Sequence, residues 1–179
     1  MSEQYDKFYA ALEQTLYLTP EDINTNRAGQ ISEAQQARIQ GQLRAAAVGV
    51  GCISIFSLLP AFGIAIMLPS WTIRAIILIG LVVWAFFFYR TYKKITQRNQ
   101  EIESDLENGQ VKALEGNLGR VQSKQRAGYY LTVNDERFLV PGLLFDLAPE
   151  GEQVALYHLP QSKHFLALEF LNETSIDTD

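Results

Sequence analysis

Cysteine and histidine are scarce in this 179-residue sequence, which contains one cysteine, Cys52, and two histidines. A single cysteine excludes a disulfide within the chain. Because Cys52 lies inside an apolar run, we expect its thiol to pack as a small hydrophobic side chain. His158 and His164 flank a predicted turn without a third clustered ligand, so we predict polar packing there and no metal site. The serines stand in no nucleophile motif. The sequence therefore predicts no catalytic residue, no cofactor and no enzymatic activity.

Charge is also missing from one part of the chain, because residues 45–89 contain only Arg74. Residues 45–68 would form a helix about 36 Å long at about 1.5 Å per residue, which is enough to cross a bilayer. Residues 72–89 are long enough as well, with Arg74 near their end. We predict an integral membrane protein with a first transmembrane helix at 45–68, a short external turn at 69–71 and a second helix at 72–89.

The positions of basic residues predict the orientation of this hairpin. Polar sequence of more than 40 residues precedes the first apolar run, so a cleaved signal peptide is excluded. Basic residues flank both spans on one side, whereas the turn contributes only Arg74, so both termini are predicted to be cytoplasmic, in a bacterial-type inner or plasma membrane. The residues predicted to set this topology and to contact membrane lipids are Arg44, Arg90, Lys93, Lys94 and Arg98.

Small residues recur in the first predicted span. Ala45 with Gly49, and Ala47 with Gly51, form two overlapping pairs of small residues four positions apart, which let another helix approach closely. Two hypotheses remain open for this face. It packs against the second span of the same chain, or it is the contact of a homo-oligomer or a protein partner.

Residues 1–44 are predicted to form cytoplasmic amphipathic helices. Tyr5, Phe8 and Leu12 recur at helical spacing. Packing on protein is favoured over binding at the membrane surface, because Lys7 is the only basic residue nearby. Further helices are predicted to begin after Thr19, as an N-cap, and at a capping box that starts with Ser32.

A juxtamembrane stalk helix is predicted at residues 90–108. Its apolar positions alternate in steps of three and four residues, a spacing typical of a packed helix seam. The stripe either packs on the cytoplasmic extension of the first span, or forms a short coiled coil whose polar member fixes the register. Its members are Tyr92, Ile95, Asn99, Ile102 and Leu106.

From residue 109 onward the pattern changes from helical to alternating. Residues 109–171 predict a small, mainly antiparallel β domain of about five strands, as an open barrel or a strongly curled sheet. The polar tail at 172–179 is predicted to be disordered. Residues 127–179 contain two basic and nine acidic residues, which disfavours nucleic-acid binding. The predicted fold class is thus an α+β membrane protein, a two-helix transmembrane hairpin with cytoplasmic helical extensions and a β domain.

Three segments carry a resemblance. They are Asn26–Gln35 (NRAGQISEAQ), Tyr130–Val133 (YLTV) and Tyr157–Lys163 (YHLPQSK), placed before and after the two predicted spans. In this combination the chain resembles a group of uncharacterised two-span membrane proteins. The resemblance implies a cytoplasmic β module on a helical hairpin, and it implies no activity and no functional residues.

These features together favour a recognition role. We expect a non-enzymatic integral membrane protein that presents its β module as an interaction or accessory subunit of a membrane assembly. The expected partners are membrane lipids and either a protein or a second copy of the chain, through the small-residue face, the Tyr5/Phe8/Leu12 stripe or a sheet edge. The alternative is a membrane-anchored ligand-sensing regulator whose β module binds a small molecule.

Overall fold

The structure is a computed structural model that describes residues 2–46, 48–49, 63, 70–123 and 128–171. It has an α+β fold with two compact units. One unit combines Met1–Gln36 with Ile102–Asp179, and the other is Ala37–Glu101. The N-terminal helices and the end of the predicted stalk therefore fold together with the strands.

Five helices are described. Their bounds are Ser2–Leu16 for α1, Pro20–Arg27 for α2, residues 33–46 for α3, Trp71–Asn108 for α4 and Gly142–Leu147 for α5. The pattern at Pro141 predicted only the end of a hairpin and missed α5. Proline is well suited to begin a helix because no N–H is needed there, and the fully buried Leu144 packs the short helix onto the core.

Two predicted helix starts differ in how completely they form. At α2 the capping box is complete, because Thr19 Oγ accepts from the Asp22 N–H at 3.2 Å and Asp22 accepts from the Thr19 N–H at 3.0 Å. At α3 the Gln35 N–H donates to Ser32 Oγ at 3.0 Å. The Gln35 side-chain oxygen has no partner among the described residues, so the second bond of the predicted box is not made.

The strands form one antiparallel sheet in the order β3-β2-β1-β4-β5. Their bounds are Lys112–Ser123 for β1, Gly128–Val133 for β2, Glu136–Val140 for β3, Gln153–His158 for β4 and Phe165–Phe170 for β5. The predicted turn at Asn134 and Asp135 is confirmed, with φ of 48° and 65° as a two-residue hairpin requires. The prediction of about five antiparallel strands is confirmed.

The sheet curls because β1 changes partners along its length. Its first half, up to Asn117, pairs with β4, and its second half, from Leu118, pairs with β2. The two edge strands are thereby brought near one another. Lys163 Nζ, just before β5, lies 2.7 Å from a carboxylate oxygen of Glu136 on β3.

The core lies between the sheet and the helices, and both faces of β4 and β5 are buried. α1 covers β5, where the ring of Phe8 is fully buried 5.4 Å from that of Phe170. The largest fully buried side chains are Phe8, Leu12, Leu106, Leu118, Leu131, Val133, Phe138, Leu144, Val154, Leu156, Leu159 and Leu168. Helical residues from both ends of the first unit thus complete a core that the strands alone would leave open.

The helix α4 joins the predicted second span to the predicted stalk without a break. Its 38 residues extend about 57 Å at about 1.5 Å per residue. By length and composition it is the one described helix that could cross a membrane, and no residue in its most apolar stretch is buried. α4 begins at Trp71, which was predicted to be the last residue of the turn, so the helix starts one residue earlier than predicted. Most of the first predicted span, including Ala47 and Gly51, lies outside the described residues.

Candidate functional site

The Tyr5/Phe8/Leu12 stripe lies inside the protein's own fold. All three side chains are buried, and the Tyr5 ring lies 4.7 Å from that of Phe170. The Tyr9 hydroxyl accepts from the Phe170 N–H at 3.2 Å, which fixes α1 to the end of β5. The stripe is therefore a packing surface within the chain and is not exposed to a partner.

The predicted stalk stripe becomes progressively buried along α4. Tyr92 is exposed, Ile95 and Asn99 are half-buried, and Ile102 and Leu106 are buried. Near the end of the helix, Gln36 Nε2 donates to the Leu106 carbonyl at 3.2 Å. The last turns of α4 thus pack within the first unit, next to the start of α3.

Asp105 connects α4 to the turn between β4 and β5. Its carboxylate is 1% exposed and accepts from the Gln161 N–H at 3.1 Å, and from both the N–H and the hydroxyl of Ser162 at 2.8 Å. Charge-assisted bonds of this kind are about twice as strong as neutral ones. Sequence analysis missed Asp105, although it lies three residues after Ile102 and thus on the buried face of the stalk.

A second junction joins the ends of α2 and α4. Gly29 and Gly109, with φ of 78° and 64°, each end a helix in the left-handed conformation that glycine allows. The Val111 N–H donates to the Gly29 carbonyl at 2.9 Å, and the Ile31 N–H donates to the Gly109 carbonyl at 3.1 Å. The two chain segments therefore form a short antiparallel bridge beside β1.

A buried polar cluster lies where α2 meets α3, formed by the buried residues Asp22, Asn26 and Gln35 together with the half-buried Ser32. The Ser32 hydroxyl donates to the Asp22 carboxylate and accepts from the Gln35 N–H, so these three residues are linked by hydrogen bonds. Asn26 is one helical turn after Asp22 and only 1% exposed. Within the described part of the chain, neither its amide nitrogen nor its oxygen has a hydrogen-bond partner. Such buried unpaired groups are rare in folded proteins.

An ion pair fixes α2 to β5. Arg27 donates to both oxygens of Glu169, at 2.9 and 2.5 Å, and Tyr157 donates its hydroxyl to the same carboxylate at 2.7 Å. The bond to Glu169 and its charge raise the pKa of Arg27. Burial, and then the bond to Glu169, raise the pKa of Tyr157 well above its ordinary value. The group is a structural clamp, because the Arg27 guanidinium and the Tyr157 hydroxyl both donate to one carboxylate.

The two histidines lie on either side of the turn between β4 and β5. His158 is buried against the ring of Phe138 at 5.0 Å, and its Nδ1 lies 2.8 Å from the Leu159 carbonyl oxygen. The His164 carbonyl accepts from the Leu159 N–H. Among the described residues, no three side chains of metal-ligating type are grouped together.

The residues predicted to contact lipid are exposed. Arg44 lies near the described end of α3, and Arg90, Lys93, Lys94 and Arg98 follow the apolar part of α4. None of the four on α4 has an ion-pair partner within the described ranges. Of the small-residue face, Ala45 and Gly49 are described, and both are exposed.

Comparisons with protein-family models, curated proteins and solved structures found no match for this chain.

Proposed function

We propose that this chain is a non-enzymatic integral membrane protein, an interaction or accessory subunit that presents a cytoplasmic α+β module to a larger membrane assembly. One observation carries the proposal. The same helix, α4, begins as an exposed apolar segment and ends in buried Ile102, Asp105 and Leu106. The helix with the apolar segment thus also contributes buried residues to the core of the α+β module.

The proposal includes two membrane spans. Residues 45–68 are uncharged and long enough to cross a bilayer, so we propose that they supply the first helix of a hairpin whose second helix is the apolar part of α4. Arg44 precedes the first segment and Arg90, Lys93, Lys94 and Arg98 follow the second, and by the positive-inside rule this pattern supports cytoplasmic termini.

Two surfaces then remain for a partner, because the Tyr5/Phe8/Leu12 stripe is buried. The first surface, in the bilayer, is the small-residue face at Ala45 and Gly49. The second surface, in the module, is the edge strand β3, where Leu139 is 43% exposed. An exposed strand edge pairs readily with an extended segment of another protein.

The test begins with the location of the chain. Alkaline extraction of membranes should leave the full-length protein in the pellet, and a reporter fused after Asp179 should be active only in the cytoplasm. Release into the supernatant, or a reporter active only outside, would overturn the placement. Crosslinking in membranes and purification in mild detergent should then yield a stoichiometric partner joined at β3 or near Gly49. Crosslinks confined to other surfaces would contradict the proposed contacts.

A ligand-sensing regulator is the second candidate, favoured by the unpaired amide of Asn26. The buried polar cluster is close in sequence to Gln36, which bonds α4 at Leu106. A small polar ligand at the cluster would thus be coupled to the stalk. Recovery of the chain alone after crosslinking, with a thermal shift on adding small polar metabolites that is lost in Asn26→Leu, would favour this candidate.

A further inference from the structure

The exposed basic residues after the apolar part of α4 form a continuous surface. Arg90, Lys94 and Arg98 are four residues apart, so they lie on one face of the helix, and Lys93 is beside them. All four side chains are exposed, and none forms an ion pair with a described residue. We call this set the basic collar.

The sign of charge changes abruptly along the same helix. Residues 90–98 contain four basic and no acidic residues, whereas residues 101–107 contain four acidic and no basic residues. An anionic surface at the level of the collar would attract the first group and repel the second. The charge pattern therefore matches a negatively charged layer at a defined height along α4.

With the apolar part of α4 inserted in a bilayer as proposed, the collar would lie at the depth of lipid headgroups. Arg90 directly follows Tyr89, the last residue of the predicted span, and Arg98 lies about 14 Å beyond it at about 1.5 Å per residue. Side chains on a helix tilt toward its N-terminus. Because α4 runs outward from the apolar segment, the collar side chains lean back toward the membrane. Arg44 precedes its span, so the same tilt turns its side chain away from the membrane.

We propose that the basic collar binds the headgroups of anionic phospholipids. This inference rests on the proposed membrane insertion of α4, and it adds a class of ligand to it. Ordered contacts between the four cations and lipid phosphates would fix the depth of the helix and hold the acidic turn at 101–107 clear of the surface. Neutral zwitterionic lipids would not provide the net negative charge that this pattern requires.

Tryptophan fluorescence tests the proposal on the full chain. The sequence has two tryptophans, and a Trp71→Phe background leaves Trp84, about 9 Å along the helix from Arg90. The protein is reconstituted into phosphatidylcholine vesicles with a fraction of phosphatidylglycerol, and either lipid is supplied in brominated form as a quencher. We expect phosphatidylglycerol to be favoured by about fivefold, the ratio given by roughly 1 kcal/mol from one basic contact, and less at high salt.

Matched variants assign the effect to the collar. Changing all four collar residues to glutamine should bring the ratio close to one. The control K7Q/K112Q/R137Q/K163Q removes the same charge from exposed positions of the other unit and should keep the ratio. Arg44→Gln should also keep it.

Each contrary outcome has a distinct meaning. Equal quenching by both lipids in the unmodified collar, or a preference that survives its neutralisation, would overturn this inference alone. No quenching by either lipid would overturn membrane insertion and the inference with it. The decrease of the phosphatidylglycerol preference at high salt is measured on the chain with its unmodified collar. This measurement therefore tests the proposal even if the variant with four substitutions folds poorly.

Discussion

Ser162 donates both its backbone N–H and its hydroxyl to the carboxylate of Asp105, each at 2.8 Å. These bonds connect the turn between β4 and β5 to the final turns of α4. Both residues belong to the first unit, so these bonds join its sheet to the part of α4 that the unit contains, from Ile102 to Asn108.

We predict that Asp105→Ala lowers the free energy of unfolding by about 3 kcal/mol. The substitution removes a buried charge and leaves the N–H groups of Gln161 and Ser162 without acceptors. Thermal unfolding of the full chain in mild detergent, followed by circular dichroism, should show a midpoint lower by on the order of 10 °C. Glu103→Ala, an exposed position on the same helix, is the control and should change little. Equal midpoints for both variants would contradict the structural role of Asp105.

The second prediction concerns the pH dependence of stability. Burial raises the pKa of Tyr157, with a further contribution from its bond to Glu169, so the folded state favours the protonated phenol. This contribution is fully present below about pH 10, the pKa of an unfolded tyrosine, and is lost as the pH rises toward the raised pKa. We expect Tyr157→Phe to lose about 1 kcal/mol near neutral pH. Above pH 10 its stability should decline less steeply than that of the unmodified chain.

The measurement is the unfolding midpoint as a function of pH from 8 to 11, at roughly one-unit intervals around the ordinary tyrosine pKa. Tyr129→Phe removes a hydroxyl from a side chain that is 39% exposed and serves as the control. If the slopes of the unmodified chain and Tyr157→Phe coincide, the burial of this phenol does not contribute to alkaline unfolding.

The third prediction uses the unpaired amide of Asn26. Because both of its polar atoms are buried without partners, Asn26→Leu should raise the free energy of unfolding by about 1 kcal/mol. Denaturant unfolding of the full chain measures it, with Asn24→Leu, an exposed position on α2, as the control. A loss of stability in Asn26→Leu would contradict this prediction.

Local signals in the sequence predicted much of the fold. Alternation predicted the strands, and Thr19, Pro20 and the Asn134–Asp135 pair predicted a helix start and a hairpin turn. These features depend on a few neighbouring residues, so they can be read without the rest of the chain. The short helix α5 was missed because six residues give too little periodicity.

The junctions could not be predicted in the same way. Arg27 and Glu169 are 142 positions apart, and Asp105 and Ser162 are 57 apart. Nothing near Glu169 marks it as the partner of Arg27 until the order of the strands and the place of α2 are known. Asp105 is one of four alternating acidic residues, and only its position relative to Ile102 and Leu106 distinguishes it. Long-range polar pairs are consequences of topology, which local patterns do not specify.

The last prediction addresses whether the small-residue face associates with another chain. No described atom outside its own helix lies within 4 Å of the position that a Cβ would occupy at Gly49, so a larger side chain there clashes with no described part of the chain. In a close helix contact the same side chain would clash. We therefore expect Gly49→Leu to weaken association by roughly tenfold, equivalent to about 1.4 kcal/mol, while leaving the monomer folded.

Light scattering after size-exclusion chromatography in mild detergent measures the mass of the protein in the assembly. Gly80→Leu is the matched control, because a Cβ at Gly80 in α4 also has open space around it. A smaller assembly for Gly49→Leu only, with Gly80→Leu unchanged, would identify the face at Ala45 and Gly49 as an interface. An unchanged mass in Gly49→Leu would exclude Gly49 from any such interface and leave β3 as the proposed contact surface.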